Sequence, residues 1–138
     1  MGRIIAIDYG QKRVGLAVTD ELQLIANALD TVPTARILDY LKHYISTEKV
    51  DAIVVGEPRQ KDSTPSQAAE WIDPFVKKLK KLYPGITIER YDERFTSKLA
   101  FQAMIDSGIS KKSRRDKGLI DRISATIILQ SYMESKSK

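Results

Sequence analysis

The chemistry open to this 138-residue chain runs through carboxylates. There is no cysteine, which excludes a disulfide framework, a thiolate zinc site and a cysteine nucleophile. The single histidine, His43, lies in a polar stretch between Lys42 and Tyr44, where a solvated or part-packed imidazole is the ordinary reading and a ligand or base the exceptional one. A metal would have to bind through oxygen, which selects hard divalent cations such as Mg2+ or Mn2+. Phosphodiester hydrolysis by two such ions about 3.5–4 Å apart needs convergent carboxylates and no histidine. The ions bind the scissile phosphate, generate the attacking hydroxide and stabilise the leaving oxygen.

Three acids stand where such a site would draw them: Asp8, Glu93 and Asp121. Asp8 comes near the end of the apolar run RIIAIDY, residues 3–9, and an ionised carboxylate among apolar neighbours is costly unless a cation or donor compensates it. The competing reading is that Asp8 only begins the turn at Tyr9-Gly10, a place Asp favours on hydrogen-bonding grounds. Glu93 follows Asp92 at the end of ITIERYD, residues 86–92, where an ion pair with Arg94 accounts for it more simply than catalysis does. Asp121 follows Lys117 by one helical turn, the spacing of a surface pair, but it also borders an apolar face led by Ile120 and could point over a sheet edge instead.

The hydrophobic pattern supplies elements to carry these acids. Residues 3–9 and 13–19 (RVGLAVT) read as a strand hairpin around Gly10, with a third strand within residues 24–32. Ile37, Leu38, Leu41 and Ile45 recur at helical spacing and predict a helix over roughly residues 34–47. The run DAIVVG, residues 51–56, is apolar on both faces, as in a strand buried inside a sheet. Ile72, Val76, Leu79 and Tyr83 form a helical stripe with Lys77, Lys78, Lys80 and Lys81 around it, and Asp73-Pro74 predicts a restart or kink there.

Residues 86–92 alternate as a strand, and Thr96 or Ser97 can cap a helix that stops near Gly108. After the basic loop KKSRRD, residues 111–116, a long helix covers roughly residues 116–133. Three antiparallel strands followed by strands alternating with helices imply an α/β fold, a mixed sheet covered on both faces. One domain over residues 1–138 accounts for the length. Sites in such sheets collect beyond the carboxyl ends of parallel strands, where Asp8, Glu57 and Asp92-Glu93 all fall.

The start of the chain has neither a basic leader followed by a long apolar run nor a transmembrane span, so a cytoplasmic protein without membrane contact is expected. A net charge of +5 suits a polyanionic partner. The stretch GQKRVG, residues 10–15, is no phosphate loop, because Leu16 and Ala17 stand where its Lys and Ser/Thr would be. An actin-like or sugar-kinase ATPase also opens with an Asp-x-Gly hairpin, but closes two domains around its nucleotide.

Four blocks in order then become recognisable: IIAIDYGQKRVGLAVTD, VVGEP, YDERFTS and LIDRISATIILQSYM. Over almost its whole length the chain resembles the YqgF family, described as pre-16S rRNA nucleases or Holliday junction resolvases related to RuvC-type enzymes. The resemblance implies an RNase H-like fold with a mixed five-stranded sheet flanked by helices on both faces. It implies catalytic, metal-binding acids at Asp8 in the first strand, Glu93 within Asp92-Glu93-Arg94, and Asp121 in the last helix. Lys12, Arg13, Arg94 and Lys117 are the corresponding candidates for phosphate contact, with solvated surface charge as the plain alternative.

The expected activity is therefore an Mg2+- or Mn2+-dependent endonuclease on structured nucleic acid, with ribosomal RNA precursor preferred and branched DNA as the alternative substrate. A non-catalytic nucleic-acid-binding module is the reading of a different class. A monomer or a homodimer fits, although cutting the symmetric strands of a junction requires the dimer. Glu57 departs from the family pattern, which has an apolar residue in a Gly-Leu-Pro sequence at that place. It is either a further metal ligand or, the preferred reading, a substitution facing solvent.

Overall fold

The computed structural model describes residues 2–57, 69–92 and 117–136. Its elements are β1 (Arg3–Tyr9), β2 (Arg13–Thr19), β3 (Ala26–Pro33), a 3-10 turn (Thr34–Arg36), α1 (Ile37–Thr47), β4 (Val50–Glu57), α2 (Ala69–Leu82), β5 (Thr87–Asp92) and α3 (Lys117–Lys136). The helix expected between Thr96 and Gly108 and the basic loop at residues 111–116 lie outside the described residues.

The five strands form one sheet in the order β3-β2-β1-β4-β5. β1, β2 and β3 pair antiparallel, whereas β4 and β5 run parallel to β1. This is the mixed sheet the pattern implied, and strand alternation divides its side chains between two cores. Ile5, Ile7, Val14, Leu16, Ile53 and Val55 face α1 and α2, where Ile37, Leu41, Ile72, Val76 and Leu79 close over them. Ile4, Ala6, Ala17, Ala52 and Val54 face α3 and meet Ala125, Ile128, Leu129 and Tyr132. The second core is rich in alanine, and short side chains let a helix lie close to the sheet.

Of the restart or kink expected at Asp73-Pro74, the restart does not occur: one helix, Ala69–Leu82, contains Pro74. Pro74 forfeits only the bond its own N–H would make to the carbonyl of Glu70, near the start of the helix, and the Ile72, Val76, Leu79 stripe holds the segment on the sheet. Asp73 does not cap a restart; its carboxylate pairs with Arg90 Nη1 at 2.6 Å. No helix among the described residues is long and apolar enough to cross a membrane.

Candidate active site at the carboxyl end of β1

β1 delivers Asp8 to the edge of the core. Alternation puts Asp8 on the same face as Ile4 and Ala6, beneath α3. Opposite it on β2 is Gly15, and opposite Gly15 on β3 is Thr31, so the three residues form one row across the sheet. The first turns of α3 cross this row. A Cβ built on Gly15 would overlap the backbone carbonyl of Asp121 and stand 2.9 Å from its Cβ, so only glycine admits the helix at this height. Thr31 fixes the helix start: its hydroxyl donates to the Gly118 carbonyl and accepts from Arg122 Nη1 at 3.3 Å.

Asp121 is thereby brought beside Asp8, and both line an open cleft of about 260 Å³ together with Gly10, Gln11, Lys12 and Arg13. The two acids sit in different electrostatic surroundings. Burial pushes the Asp8 carboxyl up from its ordinary 3.8 to about 6, and the nearby charge of Asp121 adds to the effect. Among the described residues nothing pairs with Asp8. Asp121 instead accepts a hydrogen bond from Arg13 Nε at 2.6 Å, 108 residues away in sequence. The helical spacing offers Lys117 as a partner, whose side chain lies outside the described ones; the cation seen in contact is Arg13.

Lys12 and Arg13 are held at the mouth of the cleft by backbone contacts that residue types alone did not reveal. The Gly10 N–H donates to the Arg13 carbonyl at 3.0 Å and closes the β1–β2 turn. Thr34, at the start of the 3-10 turn, then grips the turn twice: its hydroxyl donates to the Gly10 carbonyl at 2.7 Å and its N–H to the Lys12 carbonyl at 3.0 Å. Pro33-Thr34 was legible only as punctuation, although Thr at a helix start is a known device for tying backbone groups.

Glu57 follows neither expected course. It is 8% exposed, shares its strand parity with Ile53 and Val55, and so lies on the α2 side of the sheet, away from the Asp8 face. Its Oε1 stands 2.7 Å from Arg90 Nη2, and Arg90 reaches on to Asp73, so the acid belongs to a chain of ion pairs that joins β4, β5 and α2. Lys77, Lys78, Lys80 and Lys81 are exposed in the second half of α2. α2 runs from the end of β4 back to the start of β5, which carries these lysines toward the end of the sheet remote from Asp8.

Glu93 and Arg94 lie outside the described residues, and Lys117 is placed only as the first residue of α3. No cluster of three potential ligands occurs among the described residues. Asp8 and Asp121 nevertheless suit a hard divalent cation: both donors are oxygens, and one of them is a poorly solvated carboxylate whose charge a metal would compensate.

The chain as a whole is similar to known proteins. The family model described as RuvX, Holliday junction resolvase, matches residues 2–135. A protein of Flavobacterium johnsoniae named "Putative pre-16S rRNA nuclease" is 56% identical over 136 residues, 99% of each chain. A protein of Phocaeicola vulgatus with the same name is 57% identical over 136 residues, 99% of this chain and 98% of its own. Among solved structures, RuvC of Thermus thermophilus in complex with Holliday junction substrate has a TM-score of 0.56 at 16% identity and covers 99% of this chain and 98% of its own. A second Thermus thermophilus RuvC structure gives 0.55 at 18% identity, covering 97% and 96%. The fold is RNase H-like, as these neighbours show.

Proposed function

Since this chain belongs to the RuvX family, the YqgF family of the sequence comparison, we propose that it is a divalent-metal-dependent endonuclease of structured nucleic acid, acting by preference on the ribosomal RNA precursor. The observation that carries the reading is the docking of α3 at Gly15, which brings Asp121 into one cleft with Asp8 and leaves Asp8 without a described cation partner. Asp8, Asp121 and Glu93 are the proposed ligands of Mg2+ or Mn2+. Tyr91, near the end of β5, packs into the α3 core, and Glu93 comes two residues later in the sequence, outside the described residues. Bound there, the metal would supply a nucleophilic water and charge stabilisation at the phosphate. The RNA preference follows the names of the curated relatives, and an rRNA precursor as substrate would put the work in the cytoplasm.

Lys12 and Arg13 line the same cleft as the acids, which supports them as phosphate contacts, with Arg94 and Lys117 as further candidates. The deciding experiment incubates the protein with a pre-16S rRNA fragment and with a four-way DNA junction, in Mg2+, Mn2+ or chelator. Cleavage of the RNA that requires metal is the expected result. Cleavage of the junction alone would reverse the substrate assignment, and metal-dependent binding without cleavage of either would replace the enzyme with a binding module.

The basic stretch Lys111, Lys112, Arg114 and Arg115 lies outside the described residues, and its contribution is testable without a structure. Replacing these four residues by Ala should weaken RNA binding alike for unrelated sequences. It should also flatten the dependence of log affinity on log salt by about 0.7–0.9 for each phosphate that is no longer neutralised. A salt slope equal to that of the wild type would remove this stretch from the binding surface.

A further inference from the structure

Arg13 is tied to one of the proposed metal ligands and exposed to the place where substrate would lie. Its Nε–H donates to Asp121 Oδ2 at 2.6 Å, while the side chain as a whole is 40% exposed and that of Asp121 only 20%. The contact uses one edge of the guanidinium. Its two terminal amino groups have no partner among the described residues, and a planar fork of this kind matches a phosphate. Asp8 and Asp121 together bring two negative charges to the cleft when both are ionised, and Arg13 is the one cation in contact with either among the described residues.

On the metal-dependent reading above, the carboxylate oxygen that Arg13 holds is also one that a divalent ion would occupy. Mg2+ binds oxygen at about 2.0–2.1 Å, so a guanidinium left on the same oxygen would face a doubly charged neighbour at close range in a partly dehydrated cleft. Arginine cannot escape by losing its proton. It can escape by rotation, because the backbone on either side is fixed by the Gly10 N–H, the Thr34 grip on Lys12 and the β2 ladder, while its side chain is long and half-exposed.

We propose that Arg13 is an exchangeable counter-ion: it holds the Asp121 carboxylate directed into the cleft, yields that carboxylate to the divalent metal, and turns its fork to a substrate phosphate. Metal binding and phosphate binding are then coupled through one side chain. In the absence of nucleic acid Arg13 opposes the metal, and in its presence Arg13 adds to the grip on the substrate. A fixed clamp that merely pre-aligns Asp121 would act in the opposite sense and favour the metal throughout.

The test titrates Mn2+ by calorimetry into the full-length wild type, Arg13→Gln and Asp8→Asn, each without nucleic acid. Arg13→Gln should bind Mn2+ about fivefold more tightly than wild type, as expected when a competing ion pair of surface strength is removed. The same variant should bind the rRNA fragment more weakly, with a salt slope shallower by about 0.7–0.9, the value for one phosphate. On the wild type itself, adding Mg2+ should move the Arg13 Nε–H resonance away from its hydrogen-bonded position, a readout that does not depend on any variant folding. Mn2+ affinity in Arg13→Gln equal to or below wild type, or an Arg13 resonance unmoved by saturating Mg2+, overturns the exchange. If wild type takes up no Mn2+, or Asp8→Asn takes up as much, the metal site itself is absent and this inference falls with it. If Asp8→Asn loses Mn2+ binding while Arg13→Gln gains none, only the exchange fails.

Discussion

Asp8→Asn is expected to lower metal-dependent cleavage by about a thousandfold or more, and to raise the melting temperature of the metal-free protein by several degrees at pH 7. The two effects have one cause. Asp8 sits on the α3 face of β1 with its carboxyl pushed up to about 6 by burial and by the charge of Asp121, so at neutral pH the fold carries a carboxylate that it would hold more easily as the acid. The folded state therefore takes up the Asp8 proton more readily than the unfolded chain. The stabilisation from that proton is fully present below the ordinary value of 3.8 and is lost as pH rises through about 6.

A shift of this size corresponds to a few kcal/mol of conditional destabilisation, at about 1.4 kcal/mol per pH unit. Melting curves of wild type and Asp8→Asn in chelator should accordingly diverge between about pH 4 and pH 6.5, with the variant the more stable, and run parallel above that. Saturating Mg2+ or Mn2+ should narrow the gap, because a ligand of the folded wild type stabilises it by mass action. A variant that melts below wild type at pH 7 in chelator, or a gap that does not change with pH, would show that Asp8 is not held against its electrostatic preference.

Gly15→Ala is the second variant from which a large effect is expected, although it adds a single methyl group to a residue with no chemistry of its own. That methyl would overlap the Asp121 carbonyl, a backbone atom that cannot rotate away, so α3 must shift. Overfilling a packed contact costs about 1–3 kcal/mol. The greater effect falls on activity, since α3 carries Asp121, and displacing a catalytic group by about 1 Å costs on the order of a hundredfold. Gly85→Ala is the matched control, because a Cβ there meets nothing within 4 Å. Its melting temperature and cleavage rate should match wild type, whereas Gly15→Ala should be lower in both. Wild-type cleavage by Gly15→Ala would mean that Asp121 does not need its observed place.

Much of the scaffold could be read in advance because its signals are local. The alternating and doubly apolar runs located all five strands to within a few residues, and the Ile37, Leu41, Ile45 and Ile72, Val76, Leu79 spacings located α1 and α2. Asp8 announced itself by being an acid in an apolar run. The details of the site were hidden because they join distant parts of the chain. Nothing near Asp121 in sequence points to Arg13, and the Lys117 spacing pointed instead to a neighbour one turn away. Gly15 reads as an ordinary strand glycine until the register sets it under α3. Glu57 was misjudged for the same reason: its partner Arg90 stands on the neighbouring strand, and parity, which decides its face, matters only once the core sides are known.

The pairing of the first strand with the last described helix has a consequence for when the protein can act. Asp8 and Arg13 leave the ribosome more than a hundred residues before Asp121, and the Gly15 seat stays uncovered until α3 has been made and folded back over it. A growing chain could assemble the hairpin, β4 and the helices beneath them as synthesis proceeds. It would still hold half of a carboxylate pair. If the pair does cut RNA, the order of the sequence is itself a safety catch, withholding activity from every incomplete copy while it is still attached to the machine that makes it.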